Sequence, residues 1–266
     1  MRRLVKWVQV AAVGSAFALL CPFSAAAEWF VEGYGGLSAP QSLKDVTMNN
    51  FGLRTATARY GFSQNDINQG STLTQTFKSS DVDLKSSPIF GGKAGYFFRE
   101  EGLSWLGVEL EAFTTKPTIK QQTVNTVQDM TFTLGPGITA IPCTAPSKTC
   151  SNQLTERSTL PLTESSMRLV TLAFNVVARY PGKVFQPYVG IGAGAFYFFS
   201  SGQVNGKQVV PGVNLSTGLK VLVTDEWGFF VEGKYQRATI TNFDPNLGLS
   251  GEYSAFNAVA GLAYHF

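Results

Sequence analysis

Charge is scarce in this chain. Only 15% of its 266 residues are Asp, Glu, Lys or Arg, against roughly 25–35% on the surface of a soluble domain. Histidine is scarcer still, with His265 the single one, and cysteine is limited to Cys21, Cys143 and Cys150. So few His and Cys residues exclude a zinc site of the usual ligand set. Nor can a Ser–His–acid catalytic set be assembled away from that one histidine. Long apolar runs are missing too: mean hydropathy is +0.04, which excludes a bundle of membrane helices. A formal charge of +3 gives no support to a nucleic-acid partner. Glycine (27), phenylalanine (21) and aromatics as a class (13%) are abundant, which argues against disorder. A chain too apolar for a soluble surface and too polar for membrane helices points to alternation of the two residue types.

The first residues, Met1-Arg2-Arg3-Leu4-Val5-Lys6, are basic. Val8 to Leu20 is uncharged and mostly apolar, and Ala25-Ala26-Ala27 precedes Glu28. This pattern predicts a Sec-type signal peptide over 1–27 and a mature domain over 28–266; the apolar run is too short to remain as a membrane anchor. Leu20 before Cys21 lacks the small side chain that lipoprotein processing requires. Removing Arg2, Arg3 and Lys6 lowers the basic count from 21 to 18, equal to the 18 acids. The apparent basicity therefore belongs to the leader. Cys143 and Cys150 remain, and two cysteines in an exported chain predict one disulfide. It would close a short loop and stabilise by about 2–3 kcal/mol in the chain-entropy model.

Eight segments alternate with period two: roughly 29–38, 88–98, 105–116, 166–180, 185–199, 209–223, 227–240 and 253–266. In the fourth, Val170, Leu172, Phe174, Val176, Ala178 and Tyr180 share one face, and Thr171, Ala173, Asn175, Val177 and Arg179 the other. This is the signature of strands with one apolar and one polar face. Val184 to Gly206 is uncharged and long enough for a membrane helix, but Gly190, Gly192 and Gly194 recur at period two and fit a strand with a glycine face. The links alternate as well. Residues 39–87 and 117–165 are long, 200–208 and 241–252 are medium, and 99–104, 181–184 and 224–226 are tight. An antiparallel up-and-down meander with long links at one end and turns at the other is the pattern of a transmembrane barrel, not of a soluble sandwich.

In such a barrel the apolar faces meet lipid and the first and last strands must pair, because lipid tolerates no open edge. Trp29, Tyr96, Phe98, Trp105, Tyr180, Trp227, Tyr264 and Phe266 cluster at the tight-turn end as an interfacial girdle. Phe199, Tyr235 and Phe256 are candidates for the other girdle. The polar faces then carry Glu32, Glu109, Glu111 and Glu232 against Lys93, Arg179, Lys220 and Lys234. Four acids against four bases, in a lumen only wide enough for side chains, predict a mutually neutralising ion-pair network. A charge-lined pore is the competing reading. His265 is expected inward at the tight-turn rim. Asp81 and Asp83 lie in the first long link, where acids are ordinarily solvated.

The chain resembles the small outer-membrane β-barrel domain family, the outer membrane protein A-like and opacity-protein-like group. The resemblance rests on Gly91-Gly92-Lys93-Ala94-Gly95-Tyr96-Phe97-Phe98, on Pro187-Tyr188-Val189-Gly190-Ile191-Gly192-Ala193-Gly194, and on the ending Leu262-Ala263-Tyr264-His265-Phe266. It implies an all-β, eight-strand barrel in the outer membrane of a Gram-negative bacterium, with extra hairpins or a ten-strand barrel as the alternative. Leu262, Tyr264 and Phe266 resemble the signal read by the barrel-assembly machinery. The implied partners are outer-membrane lipid and lipopolysaccharide, that machinery, and an extracellular ligand reached through 39–87 and 117–165. No peptidoglycan-binding segment follows Phe266, so a cell-wall tether is not expected. Neither enzymatic activity nor a cofactor or metal is expected. The family implies a structural, adhesive or interaction role at the cell surface, or alternatively a narrow porin-like diffusion channel.

Overall fold

The computed structural model describes residues 28–60, 70–99, 102–133, 135–136 and 153–266. The expected leader, Cys143 and Cys150 lie outside the described residues. Eight strands form the barrel: β1 (Glu28–Pro40), β4 (Ser87–Phe98), β5 (Leu103–Thr115), β8 (Ser166–Arg179), β9 (Phe185–Ser201), β10 (Gly206–Leu222), β11 (Trp227–Ile240) and β12 (Leu249–His265). Each pairs antiparallel with the next, and β1 pairs with β12 from Phe30↔His265 to Pro40↔Ala255. Trp29 and Phe266 exchange backbone hydrogen bonds of 3.1 and 3.0 Å at the lower end of that seam. Every barrel strand exceeds the roughly 9–11 residues that cross a bilayer. No helix among the described residues is long and apolar enough to cross one.

Alternation decides which way each side chain points. On β8, Val170, Leu172, Phe174 and Val176 are exposed on the outer face, while Leu169, Thr171, Ala173, Asn175 and Val177 are buried inside. The glycine face of β9 also points inward. A Cβ on Gly192 would lie 2.0 Å from Asn175 Oδ1, and one on Gly190 would lie 2.6 Å from Ser216 Oγ. These glycines make room for long polar side chains from the neighbouring strands.

The two long links are not simple loops. The first contains β2 (Lys44–Met48), helix α1 (Asn49–Tyr60) and β3 (Thr72–Ser79); the second contains β6 (Gln122–Thr133) and β7 (Gln153–Leu162). β2 continues the path of β1, β3 leads into β4, β6 follows β5 and β7 leads into β8. Bridges Leu43↔Val82, Leu84↔Ile119 and Ile119↔Ser165 tie the two levels together. The barrel wall therefore continues upward on one side as β12-β2-β3-β6-β7. The link between β9 and β10 is only residues 202–205, so the wall stops at β7.

An apolar cluster fills the top of the barrel beneath this wall. Met167, Leu169, Phe196, Phe198, Val210, Ile240 and Tyr253 come from the inward faces of barrel strands, Met48, Phe77 and Val124 from the wall, and Val204, Phe243 and Leu247 from the turns. Phe51 of α1 packs edge-on against Phe77, with centroids 5.3 Å apart. Asn50 and Arg54 donate to the carbonyls of Pro245 and Asn246 at 3.0 and 2.6 Å, pinning the helix to the β11–β12 link. Each large apolar side chain fully buried here stabilises the cap by about 1.5–3 kcal/mol.

Candidate functional site

The lumen is the most chemically concentrated part of the molecule. Its lower tier begins with Glu28 at the start of β1. Arg179 of β8 grips it bidentately: Nη1 donates to Oε1 at 2.5 Å and Nη2 to Oε2. The Arg179 guanidinium also lies 3.6 Å over the Phe97 ring, and its Nε donates to the Ser104 carbonyl at 3.1 Å. His265 Nδ1 sits 3.0 Å from Glu28 Oε1, and its Nε2 sits 3.2 Å from Lys220 Nζ. An ammonium only donates, so Nε2 accepts from Lys220 and the ring proton is on Nδ1, donated to Glu28. Lys220 also pairs with Glu32 at 2.7 Å.

The middle tier is drier. Lys93 of β4 pairs with Glu232 at 2.5 Å and Glu109 at 3.4 Å. It stands 5.9 Å from each of the Tyr188 and Phe230 ring centroids. Tyr188 donates its hydroxyl to Glu232 at 2.9 Å. Lys234 of β11 pairs with Glu111, which is fully buried, and stands 4.6 Å from the Phe113 ring centroid. Glu111 also accepts from Tyr34 at 2.5 Å and Asn214 at 3.0 Å, and Asn175 donates to Glu109 at 2.8 Å. At low effective dielectric these attractions are strong and an unpaired charge is costly.

All eight inward charges expected from the sequence, Glu32, Lys93, Glu109, Glu111, Arg179, Lys220, Glu232 and Lys234, lie buried in this lumen. The pairing differs from the simple four-against-four arrangement at one place. Arg179 engages Glu28, an acid that sequence reasoning read as a leader boundary and not as a lumen residue. Its even position on β1, in phase with Phe30 and Glu32, was the available signal. Between the tiers a cavity of about 10 Å³ is lined by Phe30, Glu32, Glu109, Arg179, Tyr188 and Lys220 among others, which is room for about one water. Above the network, the amides of Gln236 and Asn257 and the Thr171 hydroxyl are buried without a protein partner among the described residues. The apolar cap then closes the top. This second seal was missed because inward positions were read as polar throughout.

Leu262, Tyr264 and Phe266 alternate along the outer face, and Tyr264 lies between the rings of Trp227 and Phe266, at 4.8 and 5.8 Å. Asp83 accepts from Ser42 at 2.6 Å and reaches Lys120 at 4.0 Å, an exposed arrangement.

No curated protein sequence matches the chain. Solved structures similar to it include Neisserial surface protein A, with 11% identity, 90% of this chain and 97% of that one covered, and a TM-score of 0.46. They also include Ail, the attachment invasion locus protein of Yersinia pestis, solved with the heparin analogue sucrose octasulfate: 10% identity, coverage of 90% and 98%, TM-score 0.39. The outer membrane protease OmpT of Escherichia coli is a third, with 12% identity, coverage of 93% and 99%, and a TM-score of 0.35. The family model for the outer membrane protein beta-barrel domain matches residues 13–266. With that match over nearly its whole length, the chain belongs to the outer membrane protein beta-barrel domain family.

Proposed function

We propose that this protein is a non-enzymatic, non-conducting barrel that acts at the cell surface through its extracellular wall, in an adhesive or interaction role. The observation that carries the reading is the division of labour along the barrel axis. The lumen is filled by ion pairs and closed again by an apolar cap, while the long links build an ordered sheet above the membrane. The outer face of that sheet is exposed and rich in threonine: Thr72, Thr74 and Thr76 on β3, Thr131 and Thr133 on β6, Thr155 and Thr159 on β7. The register places Thr72 beside Thr133 and Thr74 beside Thr131. Such a face offers hydroxyls and methyl groups on a firm backbone, suited to contact with an external partner. The one histidine is committed between Glu28 and Lys220 at the opposite end, which supports a non-enzymatic reading. The signal peptide over 1–27, recognition of Leu262, Tyr264 and Phe266 by the assembly machinery, and a Cys143–Cys150 disulfide in the β6–β7 link belong to the same proposal.

The test is attachment of cells displaying the barrel to immobilised extracellular matrix. Thr76→Lys with Thr131→Lys changes only the exposed outer face. It is expected to abolish the attachment gained over cells lacking the protein, with heat-modifiable gel migration unchanged. Equal attachment by wild type, variant and cells lacking the protein would refute the role.

A further inference from the structure

A seal against hydrated ions is not a seal against protons, which pass between groups by exchange of hydrogen bonds. The lumen holds a continuous series of groups able to take part. At the tight-turn rim His265 bridges Glu28 at 3.0 Å and Lys220 at 3.2 Å, and Lys220 reaches Glu32 at 2.7 Å. Glu32 and Glu109 line the same cavity of about 10 Å³, room for about one water between them. Asn175 then donates to Glu109 at 2.8 Å and to Glu111 at 3.4 Å. Lys93 joins Glu109 to Glu232, at 3.4 and 2.5 Å.

Two features of this column go beyond structural filling. The first is charge. Glu28 and Glu32 of the lower tier are matched by Arg179 and Lys220, but the middle tier sets Glu109, Glu111 and Glu232 against only Lys93 and Lys234. Glu232 Oε1 has no hydrogen-bond partner among the described residues, and Lys234 stands 3.9 Å away. That oxygen can hold a proton in transit without leaving a net positive charge in the low-dielectric lumen. The second feature is the level above. Asn214 and Gln236 are register partners on β10 and β11, as are Ser38 and Asn257 on β1 and β12. The pairing Lys234↔Asn257 makes Gln236 and Asn257 diagonal neighbours. Asn214 Oδ1, Ser38 Oγ and both amide atoms of Gln236 and of Asn257 are buried with no protein partner among the described residues. Asn214 is held in place by its Nδ2, which donates to Glu111 at 3.0 Å and to Asn175 at 3.1 Å. Four neighbouring strands therefore aim donors and acceptors at one level of the lumen, and buried polar groups require partners. Water, which donates and accepts and is small enough to lie between side chains, supplies them. Above the ring Ser87 lies opposite Ser38, shares a hydroxyl hydrogen bond of 2.7 Å with Thr115, and accepts from the backbone N–H of exposed Lys116 at 3.1 Å.

We infer that the lumen is a proton relay, closed to hydrated ions. Protons pass between the tight-turn rim and the upper end through His265, the buried carboxylates, and waters held in the cavity and on the amide ring. Series of carboxylates and histidine inside a membrane are suited to this task. In each transfer one O–H or N–H bond breaks as the next forms, and every group regains its starting proton count once a proton has passed. At neutral pH such a flux is far smaller than the steady current of an open channel. The inference rests on the sealed lumen and is independent of the wall's partner.

The experiment is an acid jump on lipid vesicles that hold the refolded barrel and a trapped pH dye, with valinomycin and equal potassium on both sides to cancel the membrane potential. Parallel vesicles without valinomycin carry trapped potassium- or chloride-sensitive dyes. The wild type is expected to acidify the interior faster than protein-free vesicles, with no added potassium or chloride flux. Gln236→Leu with Asn257→Leu removes amides that hold no protein partner, so the fold is kept, as heat-modifiable migration verifies, and the added proton flux is expected to be lost. Ser38→Ala, a smaller change on the same ring, is expected to reduce it. Ala258→Leu, beside Asn257 in the chain but exposed on the lipid face, is expected to leave it unchanged. Wild-type vesicles that acidify no faster than protein-free ones would overturn the relay, as would a folded double variant as fast as wild type. Potassium or chloride entry through the wild type would instead overturn the seal on which the relay rests.

Discussion

Replacing Glu111 by Gln removes one buried charge while keeping the side chain's shape. In the wild type Glu111 accepts from Lys234, from Tyr34 at 2.5 Å and from Asn214 at 3.0 Å, and it is fully buried. Without its charge, Lys234 keeps Glu232 at 3.9 Å as its nearest anion, beside two neutral acceptors, the Gln oxygen and the Tyr34 hydroxyl at 3.3 Å. Both lysine and substituted amide are sealed from water, so Lys234 becomes a buried cation with little compensation. Breaking one partner of such a pair costs about 3–5 kcal/mol, a factor of some hundreds to thousands in the folding equilibrium, at about 1.4 kcal/mol per decade. Removing both charges should cost far less, because a well-packed apolar pair avoids the desolvation of two ions. Glu111→Leu with Lys234→Met is therefore expected to recover part of the loss, the remainder being the cost of leaving the Tyr34 hydroxyl and the Asn214 amide without their acceptor. The assay is urea unfolding in lipid vesicles, followed by tryptophan fluorescence and by heat-modifiable migration. A cost below about 1 kcal/mol for the single variant, or a double variant no better than the single, would refute the buried-network reasoning.

Gly192→Val would place a Cβ 2.0 Å from Asn175 Oδ1 and 2.2 Å from the Phe174 carbonyl oxygen; it is expected to abolish the heat-modifiable band. Gly233→Ala, whose added Cβ meets only the Thr217 carbonyl oxygen at 4.0 Å, should leave the band in place. Phe198→Ala empties a fully buried position in the apolar cap. It is expected to cost about 3–5 kcal/mol in the same urea titration, and a loss under about 1 kcal/mol would show that the cap is not packed as described.

The barrel was legible because membrane and lumen sharpen alternation. Along β8 lipid selects Val170, Leu172 and Phe174 while the lumen selects Thr171, Asn175 and Arg179, so the contrast survives in the sequence. The same reasoning located the glycine face of β9 and the charges of the lumen. It failed above the membrane. On β3, Thr72, Thr74 and Thr76 alternate with Leu73, Gln75 and Phe77; on β6, Thr126 and Gln128 face inward and Val127 faces out. Where both faces of a strand touch water or a half-polar interior, little energy separates the two sides and the period-two signal fades. The cap escaped notice for a different reason. Phe196, Phe198 and Leu169 occupy the inward phase of their strands, yet apolar residues in that phase break the polar-inside rule that reads the rest of the lumen. Glu28 was missed because its place beside a small-residue leader motif offered a competing explanation.

If the barrel is sealed and works from its outer surface, as proposed, the refolded wild-type protein carries no ion current across a planar bilayer. The ion-pair tiers around Lys93, Lys220 and Lys234 and the apolar cap above them must both open before a hydrated ion can pass. Insertion verified by heat-modifiable migration should therefore be accompanied by no steady current at moderate voltage. A stable, large open-channel current from the folded wild-type barrel would contradict the sealed lumen and make diffusion through it the function to explain.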